Sequence, residues 1–405
     1  MFKKIIILLV LLVFLVGCAA SDVVETPLPI TPTVTFTPVA TKTPLPTATE
    51  TSTATPTAVP SPTVTPTVPP VSFGPSDFPK GINPLTGLAV GNDALLDRRP
   101  LAVKVSNDPR AIRPQWGLSL ADIVYEYYPE KGRTRFVAIY YGHDAEQVGP
   151  IRSARLFDAH IIRMYKSPLA FVGADQRVLD YLFNAEFANL LVSEFPARCP
   201  PMCRIMPDTW NHVVTNTSEL SAYITKQGIS NTRQNLDGMV FTTALPALTG
   251  TPINQLTVRF SQSFYTRWTY DPATNRYSRA QDAAESASPA DETYTPLEDR
   301  LTGEIIQADN VVVIFVPYED YYRTATTEIF DVKLTGFGPA LLFRNGQMYE
   351  VVWGRGADNT LLSLFYDDGT RVPFTPGTTW FEVVGKNSVL TTPESDSARV
   401  QFNLP

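Results

Sequence analysis

Histidine is nearly missing from this 405-residue chain: His143, His160 and His212 are all it has. None is spaced as His-x-x-x-His, so the ligand pair of a zinc hydrolase is absent. There is no Gly-x-Ser-x-Gly elbow, which removes the usual serine hydrolase. Cysteine is as scarce, with only Cys18, Cys199 and Cys203, too few for a disulfide scaffold or a four-cysteine zinc site. Positive charge is in deficit, 33 Lys+Arg against 40 Asp+Glu, for a formal charge of −7. A chain this acidic is a poor electrostatic partner for nucleic acid or an anionic bilayer. The glycines of Thr335-Gly336-Phe337-Gly338 and Trp353-Gly354-Arg355-Gly356 sit among strand signals, not before a helix. They make no nucleotide loop, and no cofactor is implied.

What is present begins at the N-terminus. Lys3-Lys4, the apolar run Ile5 to Val16 and a small residue before Cys18 make a secretory signal over residues 1–17. The run falls short of the roughly 20 apolar residues of a spanning helix. Leu15-Val16-Gly17-Cys18 resembles the lipobox of bacterial lipoproteins. That resemblance implies cleavage before Cys18, lipid on its thiol and amino group, and a protein held on the outer face of the cytoplasmic membrane. Several acyl chains, at about 0.8 kcal/mol per buried methylene, make such an anchor durable. Loss of Lys3 and Lys4 with the signal leaves a mature charge near −9.

Residues 18–76 are then dominated by Thr, Pro, Val, Ala and Ser, as in Ser61-Pro62-Thr63-Val64-Thr65-Pro66. Such a composition cannot form a core and favours extended polyproline II, a disordered stalk reaching on the order of 150 Å.

The expected fold class is α+β. Residues 77–250 should form a mixed α/β domain, 251–390 a mainly antiparallel β domain, and 391–405 a tail. Leu101 to Val105, Asp122 to Tyr128 and Arg135 to Tyr141 read as strands. Ser153 to Tyr165, Arg177 to Leu191, and Ser218 to Gln227 with Ser218 as cap read as helices. After Gly250 the pattern turns to strands: a hairpin around Asp271-Pro272, a run Val311 to Val316, and pairs divided by Asn345-Gly346 and Asp368-Gly369. Gln281 to Thr293, small and acidic, reads as a mobile loop.

Arg99-Pro100-Leu101-Ala102-Val103-Lys104-Val105, Arg113-Pro114-Gln115-Trp116-Gly117 and Gly149-Pro150-Ile151-Arg152-Ser153-Ala154-Arg155 resemble the YerB-type lipoprotein family. Ala308-Asp309-Asn310-Val311 and Pro376-Gly377-Thr378-Thr379-Trp380 resemble its C-terminal half, and the likeness spans about residues 82–385. It implies a lipid-anchored envelope protein of two domains, associated with cell-wall synthesis proteins. The chain departs from the family's pattern at Glu130-Lys131-Gly132, Phe171-Val172-Gly173-Ala174 and Asn211-His212-Val213.

Arg152, Ser153 and Arg155 form the main candidate ligand site. They follow Gly149-Pro150 at an expected helix N-terminus, where anions are favoured. Arg113 and Gln115 are candidates to converge on the same crevice, with Glu126, Asp175 and His212 beside it. The competing reading pairs these arginines internally with Glu126, Asp158 or Asp175. Cys199 and Cys203, with Pro200-Pro201-Met202 between them, fit a stapled loop, two free thiols or a metal site with His212. Tyr318, Tyr321 and Tyr322 offer either sugar stacking or ordinary packing.

The leading functional expectation is a non-enzymatic surface lipoprotein that binds a wall polymer or a wall-synthesis protein. The alternative is a wall-modifying hydrolase or transferase using Arg152 and Arg155 with Glu126, Asp175 or His212. Capture of a solute for a transporter is disfavoured, because two matched α/β lobes are not apparent.

Overall fold

The structure, a computed structural model, describes residues 71–206 and 212–404. The signal, Cys18 and the Thr/Pro tract through residue 70 lie outside these. Three strands, β1 (Leu101–Ser106), β2 (Ile123–Tyr127) and β3 (Arg135–Tyr140), are buried along their whole length. Strands apolar on both faces must be covered on both. On one face lies α1 (Phe157–Tyr165), whose Phe157 and Tyr165 rings meet Tyr125 edge-on. Next come β4 (Leu169–Phe171), α2 (Gln176–Phe183), β5 (Leu191–Ser193) and α3 (Thr217–Lys226).

The second half supplies β6 (Gln255–Arg259), β7 (Tyr265–Asp271), β8 (Arg276–Asp282), β9 (Asn310–Val316), β10 (Gly336–Arg344) and β11 (Gln347–Arg355). It ends with β12 (Ser363–Phe365), β13 (Thr379–Gly385), β14 (Val389–Glu394) and β15 (Ser397–Gln401). Strands from both halves build one sheet, in the order β11-β10-β9-β13-β2-β3-β1-β4-β5, with β12 beside β11. The halves join where β13 runs parallel to β2, setting Glu382 opposite Glu126. A second sheet of β8, β7, β6, β15 and β14 covers the remaining face. Its Trp268 meets Trp380 of β13 at 5.3 Å between ring centres.

The α+β class and the strand-rich second half are as the sequence indicates. Helix boundaries differ. The first helix starts at Phe157, four residues after Ser153, so Arg152 and Ser153 precede it in irregular backbone. The second ends at Phe183, and Leu191 begins a strand. The third is capped by Asn216, whose side chain accepts from the Ser218 and Glu219 N–H groups. Residues 281–293 are pinned: Asp282 binds Arg110 and Arg113, and Glu292 binds Arg259 and Arg399. The segment set apart as a tail holds most of β14 and all of β15, which lies parallel to β6.

Candidate functional site

Arg113, Gln115 and Glu126 come together, though not beside Arg152. They gather around Asn107, at the end of β1. Arg113 Nε donates to the Asn107 carbonyl at 3.0 Å, and Gln115 Nε2 donates to Asn107 Oδ1 at 3.1 Å. The Asn107 amide donates to Thr134 Oγ1 at 2.8 Å and lies 3.4 Å from Glu126 Oε1. Gln115 is wholly buried and its Oε1 has no partner. Arg113 turns away from the crevice to pair with Asp282 at 2.8 Å. Its outer side lines a cavity of about 320 Å³ together with Arg110, Gln281 and Glu298.

Glu126 belongs to a triad that sequence reasoning missed. Arg279 Nη2 donates to Glu126 Oε2 at 2.7 Å, and its Nη1 donates to Glu382 Oε1 at 3.1 Å. Trp268 Nε1 also donates to Glu382, at 2.8 Å. All three ionisable side chains are at most 2% exposed. Burial, then the neighbouring Glu126 charge, pushes the Glu382 carboxyl well above its ordinary value. Such a site holds the two sheets together, and no solvent-borne substrate reaches it. The signal was legible in principle: a lone acid inside Trp380-Phe381-Glu382-Val383-Val384 must be paired when its strand is buried.

Arg155 is likewise engaged. It grips Glu130 with both arms of its guanidinium, Nε donating at 2.7 Å. Arg135 donates to the Ser153 carbonyl at 2.9 Å and lies 3.4 Å from Glu130. Burial opposes the Glu130 charge, but Arg155, Arg135 and Arg133 hold the carboxyl below its usual value. The expected pairings with Glu126, Asp158 and Asp175 are therefore corrected: Arg155 takes Glu130, a residue not foreseen as its partner. Asp158, in the first turn of α1, accepts from the Arg155 N–H ahead of the helix and pairs with the buried Lys104 at 2.7 Å. Burial pulls the Lys104 amine down to about 7.

Asp175 caps α2 and pairs with Arg177 at 3.2 Å. With Glu130, Lys131, Arg133 and Arg155 it lines a shallow cavity of about 200 Å³. His212 lines neither cavity; its carbonyl accepts from the Ile205 N–H beside the short strand Val213–Thr215. Tyr318 is buried against Phe330 and Phe402, and Arg177 stacks on Tyr322 at 3.7 Å. Cys199 and Cys203 are bonded, with Cα atoms 4.4 Å apart.

Arg152 alone of the foreseen cations is left over. No ion pair among the described residues includes it, and its Nε is buried without a partner. Its surroundings carry Asp108 and Glu130 against Arg155 and Arg133. Asp108 is already paired to Arg133 at 3.0 Å.

Comparison with known proteins gives a consistent picture. Residues 85–230 match the family described as Protein of unknown function (DUF3048) N-terminal domain, and residues 256–381 match the DUF3048 C-terminal domain. A Bacillus subtilis (strain 168) protein named "Putative lipoprotein YerB" is 28% identical over 315 residues, covering 74% of this chain and 85% of that relative. The crystal structure of YerB protein from Bacillus subtilis superposes with a TM-score of 0.61 at 26% identity, covering 75% of this chain and 96% of the other. The chain belongs to the YerB-type DUF3048 family, with the N- and C-terminal domains of that family both present.

Proposed function

We propose that this protein is a lipid-anchored, non-enzymatic binding module of the cell envelope. Cys18 carries the anchor, residues 18–70 are the spacer, and the head, which starts earlier than the sequence indicates because Ser72–Phe73 pairs with Phe241–Thr242, engages a wall polymer. The name of the Bacillus relative supports the lipoprotein assignment.

The observation that carries the binding role is Arg152. A half-buried guanidinium that enters no ion pair among the described residues offers its fork to an external carboxylate or phosphate. Glu126 cannot serve as base or nucleophile from inside the core, which weighs against the hydrolase alternative.

Arg152→Ala is the variant to use. Arg155→Ala would also remove the closer of the two arginines on Glu130 and lower stability. Purified wall should pellet the wild-type protein, and Arg152→Ala should pellet several-fold less while melting unchanged. Equal loss of stability, or undiminished pelleting, removes Arg152 from the reading.

A further inference from the structure

A wide cavity lies far in sequence from Arg152 and Arg155, against the outer end of the large sheet. It measures about 840 Å³, within the roughly 300–1,000 Å³ of ligand pockets. Its base is Val352 and Gly354 of β11, with Leu361 and Phe365 beyond. Phe337 of β10 lies opposite Gly354 in the strand register and is 69% exposed. A Cβ on Gly354 would stand 2.7 Å from both the Phe337 and Phe365 rings. Only glycine there lets the two rings close over the strand, 6.2 Å apart and at 63°. The rim is polar: Asp237 and Asp367 on one side of the balance, Arg371 stacked over Phe365 on the other.

We propose that this cleft binds an uncharged glycan. Apolar C–H faces of sugar rings stack on Phe337 and Phe365, while ring hydroxyls bond to Asp237, Asp367 and Arg371. The rim's two carboxylates against one guanidinium disfavour an anion, unlike the surroundings of Arg152. A peptide adding itself as a strand is disfavoured too, because the backbone is already paired. β11 is bonded to β10 and β12, and β12 is closed off by the Val372 N–H donating to Leu364. The inference rests on the wall-binding reading and names the part of the polymer that this second site would hold.

The test titrates the full chain with an N-acetylglucosamine tetramer, a glucose tetramer and poly(glycerol phosphate), following heat. Saturable binding of either uncharged tetramer is expected. Phe337→Ala, exposed and so harmless to folding, should weaken it about tenfold, and Phe337→Trp should restore it. Arg152→Ala should leave it unchanged. Absence of binding by both tetramers, equal binding by Phe337→Ala, or tighter binding of the phosphate polymer at this cleft overturns the proposal. Pelleting by whole wall that survives Phe337→Ala and fails only in Arg152→Ala would sink the glycan cleft and keep the wall-binding reading.

Discussion

Arg279 is the residue on which the junction of the two halves turns. It is the cation between Glu126 and Glu382, and removing it strands two acids in the core. Arg279→Met should cost about 3–5 kcal/mol in denaturant unfolding; a loss below 1 kcal/mol would deny the triad its role. Glu382 is predicted to behave oppositely. Its folded-state pKa is raised above the ordinary 4.5 by burial and by Glu126. The folded protein therefore holds a proton that the unfolded chain has released. That contribution is complete below about 4.5 and is lost as pH rises through the folded value. Glu382→Gln keeps a neutral side chain, so its unfolding free energy should fall less with rising pH than the wild type's. Identical slopes would mean that Glu382 is ionised in the fold. The sequence offered Glu126 only as a candidate beside the arginine crevice or an internal partner of those arginines. It could not show Arg279, 153 positions away, as the partner.

Elements were legible where local pattern decides them. The alternation before and after Asp271-Pro272 is the antiparallel pair β7 and β8, with Asp271 opposite Arg276. Helix starts were less legible because the competing caps are one or two residues apart: Asn216 outcompetes Ser218. The final hairpin was missed because its reason is tertiary. β15 has β6 as parallel partner, and Phe402 just beyond it stacks on Tyr128 at 4.9 Å and packs on Tyr318 and Phe260. Nothing near residue 400 in sequence announces those contacts. Phe402→Ala is expected to cost about 3–5 kcal/mol in thermal or denaturant unfolding. A loss under 1 kcal/mol would make residues 389–404 an appendage after all.

At the scale of the whole molecule, the described residues fall in one compact unit even though two family domains are present. The reason is the shared sheet. Asp282 binding Arg110 and Arg113, and Asp299 accepting from the Gly117 and Ser119 N–H groups, tie the halves again through two buried acids. Most foreseen site residues are consumed by this joinery. Arg113, Gln115, Glu126 and Arg155 hold the fold, while Arg152 and the aromatic cleft remain available to a ligand. Sequence could identify the polar residues but not which of them the second half would claim. The account's central claim is binding without chemistry. Its most direct test incubates the full chain with purified intact wall and measures both pelleted protein and soluble wall fragments. Protein should pellet with the wall while released sugars and amino groups stay at the protein-free level. Time-dependent release of fragments, abolished by a single substitution, would contradict it.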